Sequence, residues 1–265
     1  MVTGNESRLE TFDFENDKAY NYVRREAFSL FPSLRLRFGS GEAGAGAFLQ
    51  SSRLRNNSGR YVTQFESNDL EKDILKTKSH AGVKGYLEFD TRNQTTFPTA
   101  GIVWKNEAAW HSGLNSYSNT FSALSTDFRI YLSRQVNPRT VLALRFGGAM
   151  NRGTFDFIHA NHLGGKTNLR GYPATRFYGD DAAYQNTDLR IKLKDIHSYY
   201  FSGQIGVFGF HDIGRVWYSR ENSDKWHQGY GGGIWVSPFG MAVITARYAL
   251  SEEYDIFRVK FDFRF

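Results

Sequence analysis

The chain has no cysteine, five prolines and only three methionines in 265 residues. The missing cysteine excludes a disulfide scaffold, a thiolate zinc site and a cysteine nucleophile. So few methionines and prolines argue against a pliable helical bundle or a proline-rich linker protein. No run of 18 apolar residues occurs, which excludes a helical membrane span. A membrane barrel is not excluded, because its strands show lipid only every second side chain. Blocks of like charge are absent too. The formal charge of +6, from 33 Lys+Arg against 27 Asp+Glu, is dispersed among apolar residues. No nucleic-acid partner is expected, since that needs a clustered basic face. Met1-Val2-Thr3-Gly4-Asn5-Glu6 carries no charged n-region, apolar stretch or cleavage site. That is expected of a protein retained where it is made, or of a mature or truncated form.

What is present is alternation. From Phe257 to Phe265, every odd position is apolar and every even one charged. A period of two places Phe257, Val259, Phe261, Phe263 and Phe265 on one sheet face and the charges on the other. Leu189, Ile191 and Leu193 alternate with Asp188, Arg190, Lys192 and Lys194 in the same way. So do Leu142, Leu144 and Phe146 with Val141, Ala143 and Arg145. The pattern predicts strands near 24–38, 43–55, 80–91, 99–110, 119–134, 139–150, 182–194, 201–217, 227–236, 240–250 and 256–265. No stretch carries a capped helical stripe. The class is all-β.

The connections carry further information. Joins at 39–42, 92–98, 135–138, 195–200 and 237–239 are short, whereas those at 56–79, 111–118, 151–181, 218–226 and 251–255 are mostly longer and polar. Short and long alternate, so an up-and-down sheet gathers tight turns at one end and long loops at the other. That arrangement fits an antiparallel transmembrane barrel of eleven or twelve strands over 24–265. A soluble β-sandwich or lipocalin-like barrel is the competing reading. Against it stand strands of about 10–15 residues, well above the usual five or six. Aromatics also gather at strand ends, among them Trp104, Trp110, Trp217 and Trp226, where interfacial girdles sit. Residues 1–23 are expected to be a separate N-terminal segment: an outer loop, or an extra strand over 6–16. Segment 60–67 is expected to extend an outer hairpin without crossing the bilayer.

The 151–181 join is unusual for a solvated loop because it holds Leu163, Leu169, Tyr172 and Phe177. Such residues imply packing, and the pair Gly164-Gly165 permits a tight fold-back. Several other signals are weaker. Gly165-Lys166-Thr167 lacks the first glycine and the helix of a phosphate loop. His159 and His162 fall on opposite faces of an extended chain, so no metal ligand set is assigned. Gly229 and Gly231 to Gly233 lie in a strand and read as room for close packing. No nucleophile elbow or ordered Ser/His/Asp set is found. No enzyme activity and no cofactor are expected.

Leu169-Arg170-Gly171-Tyr172 resembles the (V/L)-R-G-(Y/F) loop tip of the BamA-type outer-membrane assembly superfamily, the bacterial surface antigen family. Three further stretches are similar to that family, in order. Phe89-Asp90-Thr91-Arg92-Asn93 with Phe97-Pro98-Thr99-Ala100-Gly101 resembles its D-x-R-(N/D)…F-P-x-x-G hairpin. Thr187-Asp188-Leu189-Arg190 resembles its acidic strand, and Phe210 to Trp217 its F-x-D-x-G-x-V-(W/F) strand. The resemblance covers at least 80–265 and includes a chain ending on Phe265. The family barrel has sixteen strands, so the resemblance leaves this chain as either a small barrel of its own or the C-terminal part of a longer one. It also implies that the 151–181 loop folds into the lumen, with Arg170 pairing Asp188 and Asp212. A desolvated guanidinium needs such partners. Alternation points Asp188 inward on its own account; Asp212 is less clean, since it shares parity with Phe208 and Phe210.

The resemblance implies a bacterial outer-membrane barrel that inserts or exports other proteins. Its expected partners are outer-membrane lipid, client chains and accessory assembly proteins. Clients would engage the seam between first and last strands. A second reading is a membrane anchor or conduit for an N-terminal enzyme of lipase or phosphatase type. A third, less favoured, is a soluble ligand-binding barrel. Either membrane reading expects a periplasmic or enzyme domain upstream of Met1.

Overall fold

The computed structural model describes residues 25–55, 73, 75–134, 139–197, 202–219 and 221–263. The strands of its first half are β1 (Arg25–Leu30), β2 (Ser33–Phe38), β3 (Gly41–Leu54), β4 (Lys78–Asp90), β5 (Gly101–Gly113), β6 (Phe121–Arg134) and β7 (Thr140–Gly153). A short hairpin follows, β8 (Asn161–Leu163) and β9 (Phe177–Gly179). The wall then resumes with β10 (Asp181–His197), β11 (Ser202–Trp217), β12 (His227–Pro238), β13 (Ala242–Ser251) and β14 (Asp255–Phe263). Apart from β8 and β9, they form one 12-stranded antiparallel sheet in the order β1-β3-β4-β5-β6-β7-β10-β11-β12-β13-β14, with β2 also on β3. The class is all-β and up-and-down, as the alternation predicts. The N-terminal segment with its alternative strand over 6–16, and the 60–67 hairpin extension, lie outside the described residues.

The expected 24–38 strand is broken in the middle. β1 pairs with Leu49 to Leu54 and β2 with Gly41 to Gly46, both on the same edge of β3. The break falls at Phe31-Pro32, because proline has no N–H to give to a ladder. Eleven places in the sheet are thus filled by twelve strands. A second irregularity sits in β10, whose register slips between Lys192 and Lys194. Lys194 therefore pairs with Ile205, off the inward row that simple alternation assigns it.

The two faces of the sheet differ in chemistry. Leu34, Val83, Trp104, Leu124, Leu132, Phe146, Leu189, Ile234, Phe257 and Phe261 are large, apolar and exposed. A cation on such a face at mid-bilayer would cost about 2–4 kcal/mol. The opposite face carries most of the ionic residues and borders an open cavity of about 470 Å³ lined by Tyr86, Glu88, Lys105, Glu107, Ser125 and Asp127, among others. Nitroxides at Leu124 and Ser125 should therefore show opposite accessibility. The first should be quenched by oxygen in the bilayer and the second by a water-soluble nickel chelate. Equal accessibility would contradict a lipid-facing outer surface.

Candidate functional site

The β7–β10 connection does not project away from the wall but packs against its inner face. Leu163, Leu169, Tyr172 and Phe177 are completely buried together with Ala182 of β10 and Val216 of β11. Fully burying each such side chain contributes roughly 1.5–3 kcal/mol, which is why this loop is apolar. Its backbone turns at Gly164, Gly165 and Gly171, whose φ values are +120°, +89° and +96°. At Gly171 a side chain is also excluded by space, since a Cβ would stand 2.8 Å from the carbonyl oxygen of Leu250. Asn168 closes the turn: its Oδ1 accepts from Gly164 N–H at 3.0 Å and its Nδ2 donates to the His162 carbonyl at 3.0 Å.

Arg170 stands at the centre. Its backbone N–H and Nε both donate to Asp212 Oδ2, at 2.8 and 2.7 Å, and its Nη2 donates to Asp212 Oδ1 at 2.5 Å. The same Nη2 reaches Asp188 Oδ1 at 2.6 Å. The guanidinium lies 4.0 Å from the centroid of the Phe210 ring. That contact explains the parity of β11: Phe210 faces inward beside Asp212 because it forms the floor under the cation. Burial opposes the charge on Arg170, but the Asp212 hydrogen bonds and the two carboxylate charges outweigh it and raise its pKa. The group is a permanent cation.

The pin continues towards the short-turn end. The other Asp188 oxygen accepts from Arg190 Nη2 at 3.2 Å, and Arg190 lies 4.6 Å over the Phe97 ring. Phe97 packs on Trp235 of β12 at 4.9 Å. The loop tip and the 91–100 turn are therefore linked through one acid and one arginine. In that turn, Asp90 accepts from the backbone and Nε of Arg92 at 3.0 and 2.9 Å. The residue after Pro98-Thr99-Ala100, Gly101, has φ +110°. Phe261 is exposed on the outer face of β14. Phe263 pairs with Ala242, and Phe265 lies outside the described residues.

Three attachments of this loop are not apparent from local sequence. Arg145 of β7 donates to the Thr167 carbonyl and to Asp127, within a network where Tyr184 Oη donates to Asp127 Oδ2 at 3.0 Å. Arg176 is buried and donates to Glu253 at 2.7 and 3.0 Å. Ser251 Oγ donates to the Gly171 carbonyl at 2.8 Å. Each joins residues from 22 to 80 positions apart, a separation that no motif or period reports. His159 differs from its sequence reading as well. It sits in a single 3₁₀ turn, Phe157–His159, whose flanking Asp156 is a nearby carboxylate. His80 of β4 is its ring neighbour at 4.9 Å. His162 instead lies beside Tyr178, at 6.1 Å.

Known proteins can now be compared with this architecture. The fold is similar to the solved structure of BamA from Haemophilus ducreyi lacking POTRA domains 1–3, with a TM-score of 0.72 at 15% identity. The match covers 93% of this chain and 55% of that one, so the chain spans about half the length of that structure. No curated protein shows significant similarity to it. The Omp85 superfamily domain matches residues 7–265. A twelve-stranded sheet with an apolar outer face and an ionic inner one, matched over nearly its whole length, identifies the chain as an outer-membrane barrel belonging to the Omp85 superfamily.

Proposed function

We propose that this barrel serves a protein-assembly or translocation factor of the bacterial outer membrane, inserting or exporting other proteins. The observation that carries the reading is the state of the two end strands. Among the described residues β1 pairs only with β3, and β14 only with β13. An unpaired strand edge in lipid leaves backbone groups unsatisfied, at several kcal/mol each. Such an edge is a template for an incoming strand. The loop pinned by Arg170 supports the inner wall near β10 to β13 and, among the described residues, covers neither of those edges. Under this reading the partners are lipid on the outer face and client chains at the seam.

The test uses the full chain in liposomes and a urea-denatured eight-stranded barrel as client. Client folding, followed by heat-modifiable gel mobility, should be several-fold faster than in protein-free liposomes. A photocrosslinker at Phe28 on β1 should capture the client, whereas one at Leu124 in the middle of the sheet should not. Equal folding rates with and without the chain would favour the anchor or conduit reading. Equal capture at the two positions would remove the edge from the mechanism.

A further inference from the structure

Opposite the Arg170 pin, the same loop meets the wall a second time, and there the chemistry is different. The 3₁₀ turn Phe157–His159 lies against the start of β4 and the end of β5. His80, Asp156 and His159 bring one ligand atom each to within 4.8 Å of one another. His80 is fully buried. Neither ring nitrogen of His80 or of His159 makes a well-formed hydrogen bond, and Asp156 Oδ2 is unpartnered. Lys78 and a backbone group of Asn119 are further polar neighbours of His80. The His111 ring stands 5.9 Å from His80 and 5.8 Å from His159, and its Nδ1 is likewise unpartnered.

Aromatic packing accounts for part of this cluster. His111 stacks on Phe121 at 4.2 Å with an interplanar angle of 7°. Packing does not account for a carboxylate and two imidazoles converging while their polar atoms lack well-formed hydrogen bonds, an arrangement that native interiors avoid. We propose that His80, His159 and Asp156 form a binding site for an imidazole-seeking divalent transition metal of the Zn²⁺ type, which staples the lumen loop to the β4 wall.

The surroundings select the class of ion. Only one carboxylate is present, and Lys78 Nζ already holds its other oxygen at 2.8 Å. Arg25 is a further cation near His159. A hard ion such as Ca²⁺ or Mg²⁺ needs several oxygens, so it gains too little here to offset those charges. An ion that binds through nitrogen does not depend on net negative charge. A zinc ion about 2.1 Å from each donor needs those donors about 3.4 Å apart, so small side-chain rotations complete the set. His159 is already held from behind, since Asn151 Nδ2 donates to its carbonyl at 2.7 Å. The ion would tie the loop to β4 on one side, while Arg170 ties it to β10 and β11 on the other.

The experiment uses the full chain in detergent, stripped with a chelator. Co²⁺ is the probe because its visible bands report nitrogen and oxygen ligation. One Co²⁺ per chain is expected, displaced by equimolar Zn²⁺ and unaffected by millimolar Mg²⁺ or Ca²⁺. His159→Gln and Asp156→Asn both change loop residues rather than the wall strands, and each should weaken binding by roughly tenfold or more; His159→Gln does so without touching the Lys78 ion pair. His197→Gln and His211→Gln, at exposed positions, should bind as the parent does. Zn²⁺ should also slow amide exchange across 155–160 in the parent but not in His159→Gln. The proposal is overturned if no Co²⁺ bands appear, if they survive His159→Gln, or if they vanish with His211→Gln.

Discussion

Replacing Arg170 by alanine is expected to destabilise the folded barrel by about 3–5 kcal/mol, the cost of leaving a buried charge without its partner. Every side-chain hydrogen bond to Asp212 among the described residues comes from Arg170. The Asp212 side chain is 0% exposed, so water cannot substitute. Asp188 suffers less, since Arg190 remains on its second oxygen. Urea unfolding in bilayers, or the temperature of the heat-modifiable gel shift, reads the loss. Arg170→Lys should recover only part of it, because an ammonium cannot engage two carboxylates in the guanidinium's planar fork. The double variant Arg170→Ala with Asp212→Ala should be more stable than Arg170→Ala alone, because it removes the orphaned charge as well as its partner. Arg152→Ala is the control. It breaks an ion pair to Asp181 in which the arginine is 58% exposed, and such pairs contribute little. If Arg170→Ala and Arg152→Ala unfold alike, the buried pair does not hold the loop.

The sheet was legible because a wall between lipid and an ionic interior enforces strict alternation, strongest in β14 and β10. The break at Phe31-Pro32 was legible in principle, since proline in a paired strand announces it. Parity worked for Asp188, which shares a face with Tyr184 and Asn186. It was ambiguous for Asp212 for a physical reason. Parity separates apolar from polar faces, and the inner face of β11 is itself apolar where the loop packs on it, at Phe210 and Val216. An inner face covered by its own loop looks like a core. The pairs Arg145–Thr167, Arg176–Glu253 and His80–His159 were not legible at all. Each depends on where a long loop lands, which is set by the summed burial of Leu163, Leu169, Tyr172 and Phe177 rather than by any local pattern.

That landing place can be tested without touching a charge. Gly229 of β12 lies directly beneath the loop tip, and a Cβ there would overlap the carbonyl oxygen of Arg170. The obstructing atom belongs to backbone that is already held by Asp212 and by Ser251, so it cannot turn aside as a flexible side chain would. Gly229→Ala is therefore expected to cost about 3 kcal/mol, the upper part of the range for overpacking. It should do so by displacing the loop rather than by unfolding the sheet. Trypsin should then cut at Lys166, while β-sheet circular dichroism is retained. Gly209→Ala in the adjoining β11 is the matched control, since its added Cβ would meet nothing closer than 3.8 Å. The decisive measurement is the double-mutant cycle. Once Gly229→Ala has moved the loop tip away, Asp212 is open to water and Arg170 has little left to stabilise. Arg170→Ala should then cost less than about 1 kcal/mol more, a coupling of at least about 2 kcal/mol between the two positions. Additive losses would mean that the tip stays docked despite the methyl group, and that the close contact at Gly229 is not what seats the loop.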